Sequence, residues 1–436
     1  MSLQGPETAK LFDRAMGAMV NGVSSGWRYW GRDDTIVLAR GEGSHVYDAD
    51  GKRYIDYHMG FGPVILGHGD PHVTEAVARA AAEGITFAFT QEREVVAAEK
   101  IKEAVPWIER LRFTNTGTEA TMHAARLARG FSGRDVLVKF EGQYHGAHDY
   151  VMYSAPGMDT EMMGSPYRPI PIPMSSGMPG VINDLIITLP YNDLEAVRRT
   201  FRNDGHRIAA ILVEPMMGNS MGIMPKEGFL QGLRSVCDEY GTVLIFDEVK
   251  TGFRIATGGA AEVFGVVPDV ATFAKALGNG VPVAAIAGRG EVLEGWAKGG
   301  ITQAGTYSGN AISAAAATAT VEQLLTGEPM ARLQKIGTAL MDGVRGIMAE
   351  AGVAGAVMGH PSMFGIYFGD EPPTDLRGTA THNEDLYEAT MMGMIRRGVL
   401  PSPDAHEPWF LSAAHDEDDV AQTLQAFGDS LDEALG

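Results

Sequence analysis

The stretch Thr242-Val243-Leu244-Ile245-Phe246-Asp247 is an apolar run that ends on a carboxylate. A short continuous run of this kind is typical of a strand buried on both faces. The next apolar run along the chain ends at Lys275, and the segment between them is long enough for a crossover and a return strand. We therefore expect Asp247 and Lys275 to meet at the ends of neighbouring strands.

Lys275 has two interpretations at this point. An amine at the end of an apolar run has a lowered pKa, because burial disfavours its charged form, and its neutral fraction is a nucleophile suited to imine chemistry. The alternative is an ordinary lysine that caps a strand beside a surface Asp247. These two residues alone favour the second interpretation, so the rest of the chain must decide between them.

Strands and helices alternate around this stretch. Residues 208–213 form another continuous apolar run, which stops at Glu214-Pro215. Residues 229–240 carry apolar positions at helical spacing and lead directly into the strand that ends at Asp247. This order predicts an α/β fold with a largely parallel sheet. Alternation across residues 44–57, around an Asp-Gly turn, predicts a smaller antiparallel portion.

The overall composition limits the kind of partner. The chain has 436 residues, 45% of them hydrophobic and 21% charged, with a formal net charge of -20. This length allows a large core and two domains, and the acidic charge argues against nucleic acid or an anionic membrane as a partner. The single cysteine, Cys237, excludes an intrachain disulfide and favours a reducing cytoplasm. No apolar run approaches the ~20 residues of a membrane span.

A candidate anion site follows the predicted short strand 111–113. The chain continues there as Thr114-Asn115-Thr116-Gly117-Thr118-Glu119 and then as a helix. Free backbone N–H groups and the positive end of a helix dipole meet at such a turn, which suits a phosphate. The alternative is a simple threonine cap with Glu119 in the first helical turn. The turn lacks the Gly-rich fingerprints of nucleotide-hydrolase and dinucleotide-binding loops.

Tyr144 and a pair of histidines follow the next predicted strand, 136–140. An aromatic ring at a strand end beside a phosphate site can stack on a planar heterocycle. His145 and His148 lack acids or thiols nearby at metal-ligand spacing, so we predict no metal site. Residues 152–180 are rich in Met, Pro and Gly without periodicity, which favours an adaptable lid.

Arg28 lies among aromatic residues near the N-terminus, in Gly26-Trp27-Arg28-Tyr29-Trp30. Its guanidinium could hold a carboxylate through two parallel hydrogen bonds while the rings exclude water. The alternative is an exposed arginine that stacks on a tryptophan.

A set of motifs in a fixed order carries a resemblance over nearly the whole chain, roughly residues 20–425. The motifs are Thr116-Gly117-Thr118-Glu119-Ala120, Tyr144-His145-Gly146, Glu214-Pro215, Asp247-Glu248-Val249 with Thr251-Gly252-Phe253-Arg254, Lys275, and Gly305-Thr306 with Ser308-Gly309-Asn310. Together they resemble the class III pyridoxal-phosphate aminotransferases. Within that class, Val213-Glu214-Pro215 with Gly218-Asn219, Gly62-Pro63 through His68, and Phe410-Leu411-Ser412 are similar to the glutamate-1-semialdehyde aminomutases. The ordered set favours the reactive interpretation of Lys275.

The resemblance implies a fold-type-I α/β architecture, with a mostly parallel seven-stranded sheet between helices and a smaller α+β domain built from both chain ends. It divides the chain into an N-terminal arm with part of the small domain (residues 1–65), a large cofactor-binding domain (66–327) and a C-terminal small domain (328–436). It also implies a homodimer with shared active sites.

The resemblance further assigns residues to pyridoxal 5'-phosphate. Lys275 would form the imine with the cofactor and move the substrate proton, and Asp247 would pair with the pyridinium nitrogen. The other cofactor-binding residues that it implies are Thr116, Gly117 and Thr118 at the phosphate, Tyr144 on the ring with His145, Asn219 near the phenolic oxygen, Glu214 and Val249 in the walls, and Thr306 from the neighbouring subunit.

Departures from the aminomutase pattern lie where a substrate would bind. They surround Arg28, include Gly60 and Phe61, and follow Glu407, and by resemblance these four residues contact the substrate. We therefore predict a cytoplasmic transaminase that moves an amino group to or from a small carboxylate-bearing substrate, which includes β-amino acids. The alternatives are the aminomutase itself, which forms 5-aminolevulinate, and a catalytically inactive cofactor-binding sensor.

Overall fold

The computed structural model describes residues 2–298 and 300–436. Within these ranges no helix is both long enough and apolar enough to cross a lipid bilayer. The strands are β1 Leu38–Glu42, β2 His45–Asp48, β3 Arg53–Asp56, β4 Arg110–Thr114, β5 Val136–Phe140, β6 Gly164–Ser165, β7 Arg168–Pro169, β8 Ile186–Leu189, β9 Ile208–Val213, β10 Val243–Asp247, β11 Val270–Phe273, β12 Ala284–Gly288, β13 Gly355–His360, β14 Met363–Phe368, β15 Val399–Leu400 and β16 Trp409–Phe410. The helices are α1 Pro6–Ala18, α2 Pro71–Glu83, α3 Glu92–Ala104, α4 Gly117–Ser132, α5 Leu194–Asp204, α6 Phe229–Tyr240, α7 Gly259–Phe264, α8 Gly290–Leu293, α9 Gly295–Lys298, α10 Ala311–Leu325, α11 Glu328–Glu350, α12 Glu384–Arg396 and α13 Glu417–Leu435.

A seven-stranded sheet forms the centre of the fold, in the order β4-β12-β11-β10-β9-β5-β8. Its neighbours pair in parallel except at β12, which is antiparallel to both β11 and β4. Every residue of β9 and β10 is buried, which explains why both strands are continuous apolar runs with no polar face. The prediction of a mostly parallel sheet is confirmed.

One of the smaller sheets joins the two ends of the chain. Strands β1, β2 and β3 form a meander whose edge pairs in parallel with β15, so residues 53–56 lie beside residues 399–400. Strands β13, β14 and β16 form a separate antiparallel sheet. The division of the chain at residues 65 and 327 stays a prediction.

Arg254 connects the central sheet to these peripheral segments. Its buried guanidinium donates to the carbonyl oxygens of Ser362 (2.9 Å), Leu411 (2.8 Å) and Gly62 (2.6 Å). Burial lowers the pKa of Arg254 to about 9. One side chain thereby satisfies acceptors from three distant parts of the chain and fixes the segments that approach the carboxyl ends of β10 and β11.

The structure corrects several predicted elements. The apolar run at residues 281–285 predicts a strand. Strand β12 begins only at Ala284, because Pro282 has no N–H to donate and the preceding Asn279 and Gly280 adopt positive φ. Strands β8 and β13 and helix α7 were not predicted. The Met-rich segment 152–180 is mostly irregular and contains short 3-10 turns and the β6-β7 hairpin.

Candidate active site

Asp247 and Lys275 lie at the carboxyl ends of adjacent parallel strands. In the register of β10 and β11, Asp247 is opposite Thr272, and Lys275 begins the turn that follows β11. Both side chains line one cavity of about 320 Å³. The predicted meeting of the two charged residues at neighbouring strand ends is confirmed by this geometry.

The environment of Lys275 favours an amine that is partly neutral. Its Nζ donates to the carbonyl oxygen of Phe61 at 3.0 Å. Burial and, next, repulsion from Lys250 lower its pKa to about 7, while the nearby acids Glu407, Glu214 and Asp247 oppose this shift. A substantial neutral fraction of the amine is therefore present near neutral pH.

Asp247 is held by a buried histidine and by the backbone. Its Oδ2 lies 2.7 Å from His145 Nδ1, and its Oδ1 accepts from the Val249 N–H (3.0 Å) and the Thr272 hydroxyl (3.2 Å). Burial lowers the pKa of His145, although Asp247 opposes that shift. Because a carboxylate only accepts, we assign the proton of a neutral His145 to Nδ1. The pair fixes the direction of the carboxylate.

The candidate anion site lies at the start of α4. Thr116 caps the helix, with its Oγ1 accepting from the Glu119 N–H at 3.1 Å. A side chain at Gly117 would press on Val249 at 3.0 Å from its methyl carbons, and a side chain at Gly146 would collide with Thr118. These glycines leave the helix end open to the cavity that Thr116, Gly117 and Thr118 line, an arrangement suited to a phosphate.

A hydrogen-bonded wall faces the anion site. Glu214 Oε1 accepts from the Tyr144 N–H (2.8 Å) and from Asn219 Nδ2 (2.9 Å). Burial, with repulsion from Asp247, raises the pKa of Glu214 to about 7. Its Oε2 has no hydrogen-bond partner among the described residues. The cavity thus contains a buried acceptor that a bound polar group would satisfy.

These features fit pyridoxal 5'-phosphate. The cavity combines a partly neutral amine, a fixed carboxylate, an aromatic residue and an open helix N-terminus within one lining. When bound, the cofactor supplies an electrophilic carbon and an electron-withdrawing ring, and the surrounding residues have the chemical character that such a group requires.

A second cavity of about 200 Å³ adjoins the first and shares Tyr144, Asn219, Lys250 and Lys275 with it. Its wall contains three of the predicted substrate residues, Arg28, Phe61 and Glu407. The fourth, Gly60, is exposed and lines neither cavity. Thr306 is also exposed and lines neither cavity of this protomer.

Sequence reasoning missed the lysine that lies between the two cavities. Lys250 lines both cavities, and its Nζ lies 2.8 and 2.9 Å from the carboxylate oxygens of Glu407. Its position directly after Val249, inside a motif already assigned to the cofactor, was the available signal. His58, Asp404 and His406 also line the second cavity, and no sequence pattern pointed to them.

Comparison with known proteins identifies the family. The family model for class III aminotransferases matches residues 29–425, and the chain belongs to that family. It is 42% identical, over 96% of each chain, to a glutamate-1-semialdehyde 2,1-aminomutase from Anaeromyxobacter sp. (strain Fw109-5). The fold is similar to an omega-transaminase from Sphaerobacter thermophilus (33% identity, TM-score 0.93, 99% and 98% of the two chains). It is also similar to a beta-phenylalanine aminotransferase from Variovorax paradoxus (30% identity, TM-score 0.86, 98% and 93%).

The comparisons confirm three predictions made from the sequence. They are the fold-type-I α/β architecture, pyridoxal 5'-phosphate as cofactor, and an enzyme that is either a transaminase or an aminomutase. The roles of individual residues stay predictions.

Proposed function

We propose that this enzyme is a transaminase, which moves an amino group between separate small molecules that each carry a carboxylate. The observation that carries the proposal is the second cavity, which opens from Lys275 and has Arg28 in its wall. Arg28 forms no salt bridge with any residue in the described ranges 2–298 and 300–436, so its guanidinium is free to pair with an incoming carboxylate.

The cofactor would be held by the groups around the first cavity. Thr116, Gly117 and Thr118 would bind its phosphate, Asp247 its ring nitrogen, and Tyr144 one face of its ring. Val249, Glu214, Asn219 and His145 would complete the walls. Lys275 would bind it covalently, and the same amine, directed by the Phe61 carbonyl, would take up and return the substrate proton.

The test of this proposal is a spectral and kinetic screen. Holoenzyme mixed with a single amino donor should change its cofactor absorbance, and an added oxo acid should restore it, because the amino group leaves on a second molecule. Small α- and β-amino acids form the panel. A holoenzyme whose absorbance no donor changes would instead support an inactive cofactor-binding sensor.

The aminomutase is the second candidate function, and the 42% identical relative favours it. An aminomutase exchanges amino and oxo groups within one carbon skeleton, so it needs no external acceptor. Purified enzyme offered glutamate 1-semialdehyde alone separates the two candidates. Efficient formation of 5-aminolevulinate would reject the transaminase proposal.

We also propose a cytoplasmic homodimer whose subunits share active sites. An exposed apolar patch supports the dimer, with Phe87, Phe89 and Tyr307 at 49%, 86% and 63% exposure. The two segments that carry these residues lie against each other, because the Ala311 N–H donates to the Ile85 carbonyl oxygen at 2.9 Å. Thr306 lies beside Tyr307, so a partner that covered these segments would contact Thr306, which lines neither cavity of its own subunit.

Subunit mixing tests this assignment. Lys275→Ala and Thr306→Val homodimers should both be impaired. If Thr306 serves the partner's site, a mixed dimer has one site with both defects and one intact site, so mixing should restore activity. If Thr306 served its own subunit, each site in the mixed dimer would keep one defect and mixing would restore nothing.

A further inference from the structure

The Lys250–Glu407 ion pair lies at the boundary between the two cavities. Lys250 lines both cavities and Glu407 lines the second. The side chains are only 5% and 15% exposed. Lys250 Nζ donates to both carboxylate oxygens of Glu407 and to the carbonyl oxygen of Gly218 at 2.8 Å. An ammonium has three protons to donate, so these acceptors occupy Lys250 fully.

The pair changes how many anions the second cavity can bind. Besides Lys275, the lysine and arginine side chains in its lining are Arg28 and Lys250. His406 is paired with Asp404, at 3.3 Å between Nδ1 and Oδ1. Lys250 is neutralised by Glu407, so Arg28 is the one available receptor for a carboxylate within the described lining. A second carboxylate placed near Lys250 would meet the negative Glu407.

Aromatic rings form much of the remaining lining. The rings of Trp30 and His58 are stacked with centroids 5.4 Å apart, and Phe61 meets His58 edge to face at 5.2 Å. Trp27 also lines the cavity and is 53% exposed. Burial lowers the pKa of His58, so its ring contributes a neutral surface. This wall suits an apolar or aromatic group.

We propose that the Lys250–Glu407 pair is a specificity determinant that restricts the enzyme to substrates with one carboxylate, held by Arg28, and an uncharged apolar or aromatic remainder. Glu407 occupies the position on Lys250 that the second carboxylate of a dicarboxylate would need. This inference rests on the proposed amino transfer, because it concerns the substrate of the same site.

Binding of unreactive carboxylates to the holoenzyme tests the inference without turnover. Pentanoate and glutarate have the same carbon chain and differ by one carboxylate, and neither has an amine or an oxo group. Titration calorimetry should show that the wild-type enzyme binds pentanoate at least as tightly as glutarate. Glu407→Gln frees the Lys250 ammonium and should raise the affinity for glutarate by about 10-fold or more, while the affinity for pentanoate should change by less than about twofold.

Two further variants make the test specific. Asp404→Asn removes a different acid from the same lining without freeing Lys250, so it should leave the ratio of the two affinities unchanged. In the double variant Lys250→Met/Glu407→Gln, the gain for glutarate should disappear. If Glu407→Gln fails to retain the cofactor, Glu407→Asn frees the same ammonium with a shorter side chain. It should then show the same rise in affinity for glutarate.

Three results would overturn the inference. A wild-type enzyme that already prefers glutarate by about 10-fold, and loses this preference in Lys250→Met, would make Lys250 a carboxylate receptor. Equal gains in Asp404→Asn and Glu407→Gln would show a general charge effect, and no gain in Glu407→Gln would leave the pair a structural contact. Amino transfer by the wild-type enzyme is measured separately, so failure here leaves the proposed function intact.

Discussion

His145 and Asp247 form a buried hydrogen bond of 2.7 Å between Nδ1 and Oδ2 at the end of the central strand β10. The carboxylate also accepts from a backbone N–H and a hydroxyl. These contacts fix both oxygens, so the carboxylate is oriented before any cofactor arrives. Such preorganisation avoids rearrangement during the reaction.

Asp247→Asn should therefore lower the rate of amino transfer by about 100-fold to 10000-fold, because an amide cannot keep a proton on the ring nitrogen of the cofactor. The measurement is single-turnover kinetics with a donor that the screen identifies. Asp238→Asn is the control, because this carboxylate lies on α6 away from the site and is 61% exposed. A rate within about threefold of wild type for Asp247→Asn would contradict the assigned role.

The pH dependence of Lys275 follows from its lowered pKa of about 7. In the apoenzyme, trace acetylation of its amine should rise with pH to half its maximum near 7, because only the neutral amine reacts. Lys100 is an internal reference whose pKa is raised by its hydrogen bond to Glu103, so it should react only at much higher pH. Peptide mass spectrometry reports both residues in one sample.

Lys250→Met should move the Lys275 midpoint to higher pH. The positive charge of Lys250 helps to lower the pKa of Lys275, whereas Glu407 opposes that effect. The substitution removes the first influence and leaves the second unpaired, so both changes raise the proton affinity of Lys275. The same acetylation experiment measures the change, and a midpoint that stayed or fell would contradict it.

Glu214 should make stability fall with rising pH below neutrality. Its folded-state pKa is raised to about 7 from an ordinary 4.5, so between these values the folded protein binds more protons than the unfolded chain. The contribution is present below pH 4.5 and is lost as pH rises through 7. Glu214→Gln removes this dependence. Denaturant unfolding of the apoenzyme should therefore show that the free energy of unfolding falls less between pH 5 and pH 7 in the variant than in the wild type. Glu161→Gln, at an exposed position, should leave the free energy of unfolding unchanged at both pH values.

Arg28→Ala should raise KM for the carboxylate substrate by about 10-fold or more, with a smaller change in kcat, because the contact is made in the ground state and the transition state alike. Arg32→Ala is a matched control from the same segment, since Arg32 pairs with Asp13 on an exposed surface. Steady-state kinetics on both variants tests the assignment. Equal effects would show that the substitutions act on the segment and not on the substrate.

Arg254→Met should destabilise the protein by about 3 kcal/mol or more, because it leaves the buried carbonyl oxygens of Gly62 and Leu411 without a donor and removes one of the two donors to Ser362. The midpoint of chemical unfolding measures the change. Arg202→Met, which breaks an exposed salt bridge with Glu195, should shift the midpoint by less than about 1 kcal/mol. Similar shifts for the two variants would contradict the role of Arg254 in joining the chain ends to the central sheet.

The strands that position the candidate site residues were predictable because strands buried on both faces have a continuous apolar sequence. Residues 208–213 and 229–240 match the observed strand and helix at both ends. Strand β8, at residues 186–189, was missed because it is short and lies at the edge of the sheet after the irregular Met-rich segment. A four-residue run of this kind has too little pattern to separate strand from loop.

In the candidate site, too, local sequence pattern predicted some residues and missed others. Asp247 and Lys275 could be placed together because Asp247 ends β10 and Lys275 follows directly after β11, so the local pattern determined their neighbourhood. The contact between Lys250 and Glu407 joins residues 157 positions apart, and neither residue belongs to a strand or helix. Such a pair depends on tertiary packing of two loops, which no local pattern encodes.

The reversed direction of β12 determines how the backbone of Lys275 is held. A parallel successor to β11 would need a long crossover, whereas the antiparallel β12 lets the chain turn back within residues 274–283. Lys275 therefore lies on a short connection whose two ends are both held by strands of the central sheet. Glu407 lies on the loop that precedes β16, and β16 belongs to a different sheet. The backbone of the reactive lysine is thus fixed by the central sheet alone, whereas the Lys250–Glu407 pair joins a loop of that sheet to a loop beside another sheet.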